Sequence, residues 1–195
     1  MGTVRSDVID AVCRELARSG DPERATGQQA YMKSIMPFRG ITAPLLKTTL
    51  RPLLADPAYL LVGRDEWEAT IRGLWDGARF REERYAALAI CGHRLYRRWA
   101  AGRPAMALYL HLIESGAWWD FVDEIASHRV GPVLRAHPEP EAERMRSWAV
   151  ADSLWVRRSV DDLGPRLSPL SRREALKHLA RGTVRARWPA NAAYR

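Results

Sequence analysis

Trp119 and Asp123 lie four residues apart, the spacing at which two side chains share one face of a helix. An aromatic face attracts positive charge and a carboxylate pairs with it, so the two together suit a cation. The stretch from Ser115 to Ala126 reads as one helix. In it Trp118, Val122 and Ile125 make an apolar stripe facing a core, and Trp119 and Asp123 stand on another. Nothing apolar requires the second stripe. The same spacing also fits a packed tryptophan beside a solvated acid, and spacing alone does not choose between the two.

The whole chain narrows the setting. Its 195 residues are one domain's worth of sequence, with 47% hydrophobic and 28% charged residues, as in an ordinary globular protein. The net charge of +8 is built almost wholly from arginine, since the only lysines are Lys33, Lys47 and Lys177. A chain with a pI near 10.1 is drawn to polyanions, nucleic acid first and an anionic membrane second. Cys13 and Cys91 stand alone, which argues against a zinc site or a disulfide framework and fits a reducing cytoplasm. The five histidines form no spaced cluster, so no metal and no catalytic role are expected of them. The N-terminus is amphipathic and carries no apolar signal core; its Gly2 and Ser6 meet a myristoylation pattern too short and common to weigh. No run reaches the length of a membrane span, so a soluble protein with no membrane partner is expected.

The elements that must position Trp119 and Asp123 all read as helices. Val8, Ile9, Val12 and Leu16 form a stripe that stops at Ser19-Gly20, and Asp21-Pro22 opens the next helix with an acidic cap and a proline at its first position. That helix runs through Tyr31 and Lys33 towards Met36-Pro37; Phe38-Arg39-Gly40-Ile41 is a turn, and Thr42-Ala43-Pro44 starts another helix. Trp67, Ile71, Leu74 and Trp75 make a stripe, Phe80 to Trp99 forms the longest periodic run, and Ala105 to Glu114 leads to the Trp119 stretch. Gly131-Pro132 and His137-Pro138 punctuate the chain before helices through Met145 and Trp148 and from Asp152 to Leu163, the latter stopped by Gly164-Pro165. Ser171-Arg172-Arg173-Glu174 is a capping box for a last helix, Ala175 to Leu179. No strand alternation appears. The expected fold is all-α, a single domain over 1–195 with a basic tail at 181–195, and paired short helices suggest a helical-repeat solenoid.

Several stretches carry a resemblance. Tyr31-Met32-Lys33-Ser34 with Phe38-Arg39-Gly40-Ile41-Thr42-Ala43-Pro44, Leu74-Trp75-Asp76 with Glu83-Arg84-Tyr85-Ala86-Ala87, Trp118-Trp119-Asp120-Phe121-Val122-Asp123, Trp155-Val156-Arg157-Arg158, and Pro169 to Ala175 occur in that order. In these the chain resembles the AlkD-type DNA alkylation repair proteins, DNA glycosylases built from HEAT-like helix pairs. It departs in one place: members carry a Phe-rich helix with a Lys-Ala-Ile-Gly-Trp run between the last two stretches. That absent material is about forty residues, close to one repeat unit and another wall of the DNA-facing cleft.

The resemblance implies an activity and its residues. The expected function is excision of positively charged alkylpurines such as 7-methylguanine and 3-methyladenine from double-stranded DNA, without cofactor, by a monomer in the cytoplasm at the nucleoid. Trp119, Asp123 and Arg158 carry over as the catalytic set, with Tyr31, Lys33, Arg157, Arg172 and Arg173 as DNA contacts. A purine alkylated at N7 or N3 leaves as a neutral base without a general acid, and the sugar left behind is oxocarbenium-like. An aromatic face and a carboxylate stabilise that charge, the carboxylate can orient a water, and Arg158 would hold a phosphate. Two other readings stand beside this one: a DNA-binding HEAT-like protein without turnover, and a protein-interaction scaffold. Arg158 with Asp162, and Arg157 with Asp161, also have the spacing of surface ion pairs, and Tyr31 that of a core or capping residue.

Overall fold

The computed structural model describes residues 2–163, and among them every regular element is a helix. The helices are α1 (Ser6–Arg18), α2 (Pro22–Met32), α3 (Ala43–Ala55), α4 (Arg64–Asp76), α5 (Arg81–Cys91), α6 (Arg97–Ala100), α7 (Met106–Gly116), α8 (Trp119–Ile125), α9 (Gly131–Ala136), α10 (Pro138–Ala149) and α11 (Leu154–Leu163). The fold is all-α, as the periodicity predicts. No helix of the described residues is long and apolar enough to cross a membrane. The described residues fall into two compact units divided between Leu108 and Tyr109, inside α7. Gly164-Pro165, the Ser171 capping box with Arg172 and Arg173, and the 181–195 tail lie outside the described residues.

In the first unit, α1 buries Val8, Ala11, Val12 and Leu16 and packs on α3, α4 and α5. These helices bury Leu46 and Leu50 of α3, Trp67, Ile71, Leu74 and Trp75 of α4, and Ala86, Ala87 and Ile90 of α5. Helix α2 buries no residue at all. Its ends hold it instead. The Asp21 side chain accepts from the Arg24 amide at 3.0 Å, with Pro22 at the first position, as the sequence predicts. Arg24 donates to the Gly40 carbonyl at 2.9 Å and Gln28 to that of Ile41 at 3.2 Å, so α2 hangs on the loop that follows it.

That loop, residues 37–42, is in turn clamped by α5. The Glu82 carboxylate has no exposed surface and accepts three backbone N–H groups: Arg39 at 2.9 Å, Gly40 at 2.9 Å and Ile41 at 3.0 Å. Its neighbour Glu83 pairs with Arg39 at 2.7 Å, whose guanidinium lies 3.9 Å from the Phe80 ring centroid. Gly40 has φ 84, and a Cβ there would stand 1.9 Å from the Asp21 carbonyl oxygen, so only glycine fits. Two of the quoted sequence stretches, the one from Phe38 and the one from Glu83, are thus joined through Glu82 and Glu83.

Two expected boundaries move. The run from Phe80 to Trp99 is not one helix: α5 stops at Cys91, and Gly92 turns the chain into a 3-10 turn, Arg94–Tyr96, and the short α6. The break lets Tyr96 bury its ring, accept from the Leu61 amide at 3.2 Å and stack on Trp99 with centroids 5.6 Å apart. Gly131-Pro132, expected as punctuation, interrupts nothing. The chain winds as a π-helix over Ala126–Val130, where the Gly131 N–H reaches back to the Ala126 carbonyl. Pro132 then falls in the first turn of α9, where its missing N–H costs little.

Candidate active site

Helix α8 does not begin where the apolar stripe predicts. Helix α7 ends at Gly116, Ala117 takes a left-handed φ of 43, and Trp118 is an extended N-cap. Helix α8 therefore starts at Trp119, and Trp118 is half-buried instead of the full core residue its spacing suggests. A left-handed alanine costs of order 1 kcal/mol, and the sharp turn it makes sets the register of α8. Phe121, Val122 and Ile125 take the buried face. Trp119 and Asp123 share the other, one turn apart, with Trp119 39% exposed and the Asp123 side chain 37%.

The second helix of the site is α11, which packs on α8, on α10 and on the π segment. It buries Val156, Ser159, Val160 and Leu163, and this sets Arg158 and Asp162, one turn apart, on a flank that meets α8. Arg158 grips Asp123 with both arms of its fork: Nε donates to Oδ1 at 2.8 Å and the terminal nitrogen to Oδ2 at 2.9 Å. Such a bidentate pair fixes direction as well as distance. The Asp162 Oδ2 stands 3.6 Å from the same Nε, so the i,i+4 partner is present but is the more distant of the two acids.

The electrostatics follow from these distances. Hydrogen bonding to Asp123 raises the Arg158 pKa above its ordinary value, with burial working the other way. Asp162 is pushed up to about 7, first by burial and then by its contact with the Asp123 carboxylate. Among the described residues no group of three or more His, Cys, Asp or Glu is arranged to hold a metal ion.

The remaining expected residues are placed as follows. Arg157 donates through one terminal nitrogen to the Ala151 and Asp152 carbonyls, closing the turn into α11, and does not pair with Asp161. Tyr31 and Lys33 belong to the first unit. Tyr31 is 80% exposed near the end of α2 and so is no core residue, and Lys33 caps that helix in the left-handed region. Sequence reasoning weighs Asp162 only as a surface partner of Arg158. It passes over Glu82, whose position gives no signal beyond an acid in the first turn of a helix.

The described residues thus bring an exposed indole and an arginine-held carboxylate to one face of α8. The sequence model of the DNA alkylation repair enzyme family matches residues 12–163. The chain belongs to that family, which makes alkylation repair its role and DNA its substrate or partner. No curated protein matches the chain.

Proposed function

We propose that the protein is a DNA glycosylase that releases positively charged alkylpurines, such as 7-methylguanine and 3-methyladenine, from double-stranded DNA. The observation that carries this reading is the shared face of α8, where the Trp119 ring stands open one turn from the Asp123 carboxylate held by Arg158. The C1′–N bond breaks with its electron pair going to the departing base, which leaves neutral because it began as a cation. Positive charge moves to the deoxyribose, where the Trp119 face and the Asp123 carboxylate stabilise it. Water attacks C1′ and loses its proton to the carboxylate or to solvent. Arg158 keeps Asp123 oriented, and its guanidinium is the group that takes a phosphate oxygen when DNA binds.

The test is release of free 7-methylguanine from methylated duplex DNA, with spontaneous depurination subtracted. Release above the blank supports the reading. DNA binding without release would leave a binding protein of the same family.

A further inference from the structure

Arg158 serves two carboxylates with one nitrogen. Its Nε donates to Asp123 Oδ1 at 2.8 Å, and Asp162 Oδ2 stands 3.6 Å from the same atom. That Asp162 oxygen is buried and accepts no hydrogen bond from any described residue. A buried acceptor left without a donor carries a free-energy cost, and a small movement of the Arg158 fork would remove it. We propose that Asp162 is a positioning residue for Asp123: its carboxylate draws Nε away from Oδ1 and so sets how much of Asp123 faces the substrate.

The inference rests on the glycosylase reading for its consequence and on geometry for its cause. With both oxygens gripped by Arg158, the Asp123 pair is close to neutral as a whole. A neutral pair offers a developing sugar cation only a dipole, whereas an Asp123 with one oxygen released offers it a charge. Protonated Asp162 makes no claim on Nε and can donate to Asp123, which favours the gripped state. Ionised Asp162 competes for Nε, and its proton goes to bulk water.

The surroundings place this exchange near neutrality. Burial and the neighbouring Asp123 carboxylate hold Asp162 protonated up to about pH 7, Arg158 acts against them, and Asp161 on the same helix adds to them. On the elements packed against α11, Glu141 of α10 pairs with Arg144 at 2.6 Å. Arg129 and His128 of the π segment face Glu124 at 2.9 and 3.6 Å.

The experiment follows two readouts from pH 5.5 to 8.5 on the full chain, wild type and Asp162→Asn. One is excision of 7-methylguanine from methylated duplex DNA; the other is the NMR resonance of the Arg158 Nε–H. In the wild type, excision is expected to rise roughly tenfold between pH 6 and pH 8. The Nε–H signal should move with the same midpoint, about 7. In Asp162→Asn both should be flat, with excision at the low-pH level. An unchanged pH rise in the variant, or a wild-type Nε–H signal that does not titrate, overturns the proposal. Excision absent at every pH sinks the glycosylase reading instead, and the Nε–H titration then still decides whether Asp162 controls Arg158. Should Asp162→Asn fail to fold, the wild-type titration alone decides it.

Discussion

Asp123 and Asp120 lie on the same short helix, and Asp123 is held by both arms of Arg158 on α11. Replacing Asp123 by Asn keeps size and position and removes the charge, so excision should fall by roughly a hundredfold or more while DNA binding holds. Asp120→Asn, which removes an acid from the first turn of the same helix, is the matched comparison and should leave excision near the wild-type level. Equal excision by the two variants would mean that Asp123 is the wrong acid or that no acid matters. Asp162 gives a stability test independent of activity. Its folded pKa is raised to about 7 from 3.8, so the native state holds the proton more tightly than the unfolded chain. Stability from this group is full below about pH 4 and declines as pH rises to about 7. Because the group is partly exposed, screening leaves about 1 kcal/mol of that effect. Asp162→Asn should therefore raise the melting temperature by about 2–4 °C at pH 8 and leave it unchanged at pH 4. The pair of Trp119 and Asp123 is legible in the sequence because it lies within one helix. Asp162 is not, because its importance depends on Asp123, 39 positions away by number and on a different helix.

At the scale of elements, the helices that begin with local chemistry are the legible ones. Asp21-Pro22 and Thr42-Ala43-Pro44 each carry a cap and a proline within three residues, and each opens a helix where it should. The start of α8 is hidden because the left-handed turn falls on Ala117, a residue that seldom takes that conformation, and not on Gly116 beside it. Glu82 is hidden for a different reason: its partners are backbone amides more than forty residues earlier. The family signature at 38–44 is conspicuous in the sequence, but what it is for becomes clear only with those bonds. Glu82→Ala would leave three inward-facing N–H groups without an acceptor, at about 1–3 kcal/mol each. We expect a loss of at least about 3 kcal/mol in urea unfolding and faster amide exchange at Arg39, Gly40 and Ile41. Gly40→Ala should also destabilise, through its left-handed φ and the Asp21 carbonyl in its way. Wild-type stability in Glu82→Ala would mean that the clamp carries no net free energy.

At the scale of the molecule, fold class is legible throughout because helical periodicity repeats in every segment, whereas the division into two units is not. It falls between Leu108 and Tyr109 inside a continuous helix, and linkers are recognised by Gly, Pro and polar residues, none of which stands within two residues of that division. Charge is the molecular property that the sequence gives most directly. A net charge of +8 carried by arginine suits a partner recognised through its phosphates, and no motif in the chain is of the kind that reads base edges. Binding to duplex DNA should then show little sequence preference and a steep dependence on salt, because each neutralised phosphate releases condensed counterions. With about six such contacts, affinity should fall about a thousandfold between 50 and 200 mM salt. Fluorescence anisotropy with unmodified duplexes of unrelated sequence measures both properties at once. Affinity that stays level across that range would show that the excess positive charge does not meet DNA phosphates.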